Sequence, residues 1–181
     1  MMNATVKETI LDQHDLDDSG IPYRITLQNA VIAEIDEESG EIVSTEIPAF
    51  DSLMASIALR RCHRAEKLCG EDLRFLRRVL GITAKDFAHE INIEVATLSR
   101  WETARQTIGE AQERLIRLFI VEILKDQAPA IPIDRKCIMQ IGLKATPADL
   151  KALNFDFSLR CFLDRASRHS EENWAEVPHA A

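Results

Sequence analysis

The chain has 181 residues, 46% of them apolar and 29% charged, and a net charge of −8. That is enough apolar material for one domain with a real core plus a smaller second unit, so a wholly disordered chain is excluded. The N-terminus MMNATVKETI lacks the basic-then-apolar order of a signal peptide, and the longest apolar run, Leu115 to Leu124, is broken by Arg117 and Glu122. No segment is read as spanning a bilayer, and a cytoplasmic protein with no membrane partner is expected.

Residues 1–20 are polar and acidic, with Asp12, Asp15, Asp17 and Asp18 close together, and read as a flexible leader. The period then becomes two. Tyr23, Ile25 and Leu27 alternate with Arg24, Thr26 and Gln28, and Val31–Ile35 and Ile42–Ile47 flank the polar turn Asp36-Glu37-Glu38-Ser39-Gly40. This predicts a small antiparallel sheet within 21–49 that must pack on the helical part or on another protein.

Asp51 is placed to cap a helix to about Lys67, with Leu53, Met54, Ile57, Ala58 and Arg61 in register. Its basic end, Arg60, Arg61, Arg64 and Lys67, is either a solvated face at the negative end of the helix or a contact for phosphate or an acidic partner. The next helix, from about Gly70 to Gly81, buries Leu73, Leu76 and Leu80. Two short helices follow over 83–91 and 94–102. Phe87, Ala88 and Ile91 fall on one face of the first, Leu98 and Trp101 on one face of the second, and Asn92 stands where the chain must turn. Asparagine tolerates the left-handed conformation that such a turn needs. Thr83 can cap the first helix, answered by Asp86.

This stretch, TAKDFAHEINIEVATLSRWE, resembles the helix-turn-helix of lambda-repressor-like (Cro/CI) regulators. The resemblance rests on Phe87-Ala88, Ile93 and Leu98-Ser99-Arg100-Trp101-Glu102. Upstream, Glu71 to Arg78 is similar to the segment that opens this domain in MqsA-type antitoxins and related repressors. Together they cover about a third of the chain. The resemblance implies a five-helix DNA-binding domain over 50–127, so the fold class expected is mainly α with small β additions. A 1–20 leader and a 21–49 sheet precede it, and a short α/β extension with a disordered tail, 128–181, follows.

The resemblance also implies roles. The second helix lies in the major groove, and Val95, Ala96, Ser99 and Arg100 meet base edges. Arg100 is the strongest of these, since a guanidinium can bond O6 and N7 of one guanine together. Val95 and Ala96 can only pack against thymine methyl groups. Thr83, Ala84, Lys85 and Arg105 would position phosphates, although relatives often carry glutamine at the Ala84 position. Arg77 and Glu102 would pair to hold the angle of the reading helix. MqsA-type antitoxins often carry two CxxC pairs that bind zinc. This chain has no cysteine before Cys62, so no metal and no cofactor are expected.

Charge supports the same region. Residues 1–58 hold two basic and twelve acidic groups, whereas 59–118 hold twelve basic and nine acidic ones, the only net-basic third. Thr107 and Glu110 form another capping pair. The helix after them, to about Asp126, is apolar on most of its circumference, covered either within the monomer or by a second subunit. Residues 127–134 read as a linker, and Thr146-Pro147-Ala148-Asp149 as the start of a short helix. Phe155, Phe157, Leu159 and Cys161 alternate as a strand, which Asn173 to Val177 could pair as a hairpin.

The expected function is a sequence-specific, double-stranded DNA-binding repressor of its own promoter, dimeric on an inverted-repeat operator. The alternative is an antitoxin that neutralises a toxin protein, motivated by the acidic 1–58. No catalytic constellation is evident and the five histidines are scattered, so an enzyme is not expected.

Overall fold

The computed structural model describes residues 6–16, 20–163 and 170–178. The expected tail at 179–181, and Asp17 and Asp18 of the expected leader, lie outside the described residues. Among the described residues there are six α-helices and one five-stranded mixed sheet. The expectation of a mainly α, five-helix lambda-repressor-like domain with β additions is therefore overturned. Sheet and helices share one core, and both ends of the chain contribute strands.

Strand β2 (Arg24–Asp36) is the spine of the sheet. Strand β1 (Val6–Asp15), drawn from the segment read as a flexible leader, runs antiparallel along it from Val6↔Asp36 to Asp15↔Thr26. The alternation in that segment is hidden because most of its side chains are polar and exposed. On the other edge β2 has two partners. Its first half pairs in parallel with β4 (Asn154–Leu163), and its second half pairs antiparallel with β3 (Ile42–Glu46). Strand β5 (Ser170–Glu176) closes the far side, antiparallel to β4. The C-terminal segment expected as an extension thus completes the sheet. Asn29, at φ 50°, breaks the run of β2 between its two halves.

Helix α1 (Phe50–Cys62) lies between sheet and helices, packed on β5 on one side and on α2 (Gly70–Val79) and α5 (Glu110–Leu124) on the other. This position explains why Leu53, Ala55, Ser56, Ile57, Ala58, Leu59, Arg61 and Cys62 are all buried. Asp51 sits in its first turn but does not cap it; Ala49 is the cap residue, at φ 46°. Aromatic rings fill the joint with the sheet. Tyr23 meets Phe75 and Phe155 edge-on, each at 5.4 Å between centroids, and Trp174 donates its Nε1–H to Pro48 O at 3.0 Å.

The remaining elements are α3 (Ala84–Glu90), α4 (Val95–Glu102) and α6 (Arg135–Gln140). Helix α6 went unread beside the expected linker; Asp134 caps it by accepting from Cys137 N at 2.8 Å. Helix α5 starts after Gly109 rather than at Thr107. The expected helix after Thr146 is a single 3-10 turn, Leu150–Ala152, capped by Asp149. No helix among the described residues is long and apolar enough to cross a membrane.

The basic end of α1 is not a uniform solvated face: Arg61 turns inward, while Arg60, Arg64 and Lys67 are half-buried. Arg61 is wholly buried and grips Asp72 with Nε at 2.7 Å and Nη2 at 2.9 Å, while Tyr23 donates to the same carboxylate at 2.5 Å. Burial raises the Tyr23 phenol well above its ordinary range, and the Asp72 charge adds to this, so Tyr23 stays a donor. Arg61 also donates to Glu66 O and Lys67 O, each at 2.8 Å. From α5, the equally buried Arg117 pairs with Glu113 at 2.7 Å and donates to Cys62 O, Arg64 O and Glu66 O. Glu113 in turn accepts Leu68 N at 3.0 Å. The carbonyls of the α1–α2 link are thus satisfied by two guanidinium groups. Arg60 pairs with Glu176 at 2.6 Å, and Arg64 lies 5.1 Å from the Phe155 ring centroid.

Replacing Arg117 by Met leaves Glu113 buried without its cation and two carbonyls, Cys62 O and Arg64 O, without donors. We expect a loss of about 3–5 kcal/mol of stability, read as a lowered midpoint of urea unfolding.

Candidate nucleic-acid interface

Helix α3 begins where its chemistry requires. Thr83 Oγ1 accepts from Asp86 N at 3.2 Å and donates to the Asp86 carboxylate at 2.6 Å. It ends in a left-handed turn: Asn92 has φ 53°, its N–H reaches His89 O at 3.0 Å, and Ile93 N reaches Ala88 O at 2.9 Å. This nested pair of bonds takes up carbonyls that the helix end would otherwise leave open. The chain then enters α4 at Glu94, whose side chain makes no capping bond.

The inward faces are Phe87, Ala88 and Ile91 from α3, and Leu98 and Trp101 from α4, all buried. Phe87 meets Phe119 of α5 edge-on at 5.9 Å, which ties α3 to the core. The opposite face of α4 is open. Glu94, Val95, Ala96, Ser99 and Arg100 are all exposed, and Val95 keeps 47% of its surface. The four residues expected to read bases therefore form one strip at positions i, i+1, i+4 and i+5. Arg100 is steered along the helix by donating to Thr97 Oγ1 at 2.9 Å.

The residues expected at phosphates are less uniform. Thr83, Lys85 and Arg105 are exposed, whereas Ala84 is half-buried against the core. The Thr83 hydroxyl is already committed to Asp86, so it can meet a phosphate only by giving up that bond. Arg77 Nε and Glu102 Oε1 stand 3.2 Å apart, both partly exposed, and Arg77 also donates to Ile82 O. The pair joins α2 to the end of α4. Solvent reaches it, so it contributes less than the two buried pairs.

Three further residues position α4 without any sign in the sequence pattern. Gly70 packs its Cα against the end of α4 so closely that a Cβ there would lie 2.4 Å from Glu102 O and 2.8 Å from Trp101 O. Arg74 donates to Glu102 O. Ala104 takes φ 56° and closes α4 with the same nested bonds seen at Asn92: Ala104 N to Trp101 O at 3.1 Å and Arg105 N to Arg100 O at 2.9 Å. Alanine is not a turn residue by habit, so nothing local announces it. Gly70 opens a helix, and only its contact with a segment some thirty residues on shows why a side chain is excluded.

The cysteine and histidine beside the link are occupied. Burial pushes the Cys62 thiol up to about 12. His63 accepts Asp134 N at Nε2, which leaves Nδ1–H to donate to Leu59 O at 2.7 Å, and burial lowers its pKa.

Comparison with protein-family models, with curated proteins and with solved structures finds no match.

Gly70→Ala forces α2 and α4 apart. We expect destabilisation of about 1–3 kcal/mol or more, as for overpacking elsewhere, with amide chemical shifts displaced chiefly in Trp101–Ala104.

Proposed function

We propose that the chain is a sequence-specific, double-stranded DNA-binding transcriptional regulator that acts as a dimeric repressor of its own promoter, with α4 in the major groove. The carrying observation is the exposed strip Val95, Ala96, Ser99 and Arg100 on a helix held by Gly70, Arg74 and Arg77. A reading helix needs both features: free side chains on one face, and a rigid mount that keeps them in place. The net-basic third of the chain coincides with it. Arg100 reads guanine, Ser99 contacts base or phosphate, and Val95 and Ala96 pack on thymine methyls. Lys85 and Arg105 supply phosphate contacts. Leu115 and Ile123, 52% and 43% exposed on the outer side of α5, form the face by which two copies pair on an inverted repeat.

DNA selected by the protein from a random pool is expected to contain two half-sites about one helical turn apart. On that DNA, Arg100→Ala weakens binding by roughly ten- to a hundred-fold, corresponding to about 1–3 kcal/mol of base discrimination, and leaves binding to random DNA nearly unchanged. An equal loss on both would remove Arg100 from base reading.

A second reading, an antitoxin that holds a basic toxin protein, is favoured by the outward face of the sheet. Register places Val6, Glu8 and Ile10 of β1 beside Asp36, Glu34 and Ile32 of β2, with Ser44 and Glu46 of β3 on the same face. Val6 and Ile10 are 45% and 61% exposed. Glu8 stands directly opposite Glu34, a like-charge pairing that costs folding energy. Among the described residues no ion pair involves β1, β2 or β3. A cationic partner with an apolar patch complements this face. Ile10→Lys with Glu8→Lys is expected to abolish co-purification of such a partner from the native host while leaving binding to the selected DNA intact.

A further inference from the structure

Helix α6 is held in place by three kinds of contact. Ile138 is wholly buried in the common core. Arg135 pairs with Glu122 of α5 at 2.7 Å. At the start of α6, His63 from the end of α1 bridges two elements through both ring nitrogens. Nδ1 lies 2.7 Å from Leu59 O, and Nε2 lies 3.2 Å from Asp134 N. A carbonyl only accepts and a backbone N–H only donates, so Nδ1 carries the proton and Nε2 is bare. The bridge therefore exists only while the ring is neutral. Asp134 is also the cap of α6, its carboxylate accepting from Cys137 N at 2.8 Å.

We propose that His63 is an acid-sensitive latch: protonation at Nε2 releases the start of α6 from α1. The imidazolium carries a hydrogen on both nitrogens, so Nε2–H meets the Asp134 N–H, donor against donor. It regains a partner only by drawing the Asp134 carboxylate away from Cys137 N, which uncaps the helix. The charged groups around the ring are Arg60 on its own helix, Arg117 from α5 and Asp134 from the start of α6. The two cations oppose a further positive charge and Asp134 favours it. Both cations are already matched in part, Arg60 by Glu176 and Arg117 by Glu113. Burial is the largest influence and holds the His63 pKa below its ordinary value, so the closed arrangement selects the neutral ring. A free imidazole titrates near about pH 6.5. The closed form thus keeps its full advantage above that value and loses it as pH falls toward the lower, folded value. The Arg135–Glu122 pair does not share this dependence, because hydrogen bonds from Lys125 and Arg135 hold the Glu122 carboxyl below its usual range. The hold on α1 is lost while the hold on α5 remains. The latch works whether or not α4 meets DNA.

The full-length protein, labelled with nitrogen-15 and carbon-13, is titrated from about pH 8 to about pH 5, which stays above the ordinary carboxylate range near 4. The His63 ring is expected to be the Nδ1–H tautomer at the upper end and to titrate with a midpoint below about 6.5. The scalar coupling across the N–H···N hydrogen bond, from Asp134 N to His63 Nε2, is expected at the upper end and lost with that same midpoint. The Cys137 amide signal follows it. In His63→Gln, which takes up no proton, the Asp134 and Cys137 amide signals are expected to stay flat over the same range. A ring midpoint at or above 6.5, the other tautomer, or no coupling at the upper end would each overturn the proposal. So would amide signals that still move in His63→Gln with the wild-type midpoint. Should the variant not fold, the titration of the wild-type chain decides by itself.

Discussion

The fold depends on how one short stretch of backbone, the link from α1 to α2, is kept out of water. Its carbonyls at 62, 64, 66 and 67 turn toward the interior, where an unmet acceptor is costly. Arg61 comes from the helix that precedes the link and Arg117 from α5, and each is neutralised by a carboxylate of its own, Asp72 or Glu113. Through Asp72 the network reaches Tyr23 and so the sheet; through Leu68 N it reaches the entry to α2. A single polar knot thereby ties three helices and a strand. Apolar side chains could fill the same space, but they could not select which carbonyl faces which helix.

This knot also bears on α4. Gly70 follows the link directly, and the close approach of its Cα to Trp101 O and Glu102 O places the end of α4 on the start of α2. Arg74 and Arg77 add donors one and two turns later. The exposed strip of α4 is therefore mounted beside the buried polar network through the close backbone contact at Gly70 and the two arginine side chains. Left-handed turns at Asn92 and Ala104 limit α4 at both ends, so its register along its own axis is set as well.

Much of the helical middle was legible in the sequence, and for a local reason. Phe87, Ala88, Ile91, Leu98 and Trp101 recur at helical spacing, Asn92 marks a left-handed residue, and Thr83 with Asp86 marks a cap; each of these signals lies within a few residues. The architecture was not legible. The five-helix domain was expected because the helix-turn-helix stretch was allowed to speak for its surroundings, but β2–β4 pairing and the seat of α1 depend on contacts between residues far apart in the chain. Val6–Asp15 hid as a strand because its side chains are mostly exposed, so no apolar alternation marks it. Arg61 is a second case. A guanidinium in sequence looks like a surface charge, and only the carboxylates and carbonyls around it identify a buried one. Within the candidate interface, the exposed strip could be listed from helical spacing, whereas Gly70, Arg74 and Ala104 could not.

The parallel pairing of Ile25 and Leu27 with Phe155 and Phe157 carries a consequence for how the molecule comes into being. Strand β2 is made well before β4, so the edge of its first half that β4 covers stays unpaired while the helical middle is synthesised, with β1 alone beside it. Until then that edge is open to pairing with another chain. Helices α3 and α4 are synthesised in that interval, and α1, which packs on α2 and α5, gains its covering strand β5 later still. A chain cut before Asn154 therefore carries the helices but neither β4 nor the β5 strand that covers α1.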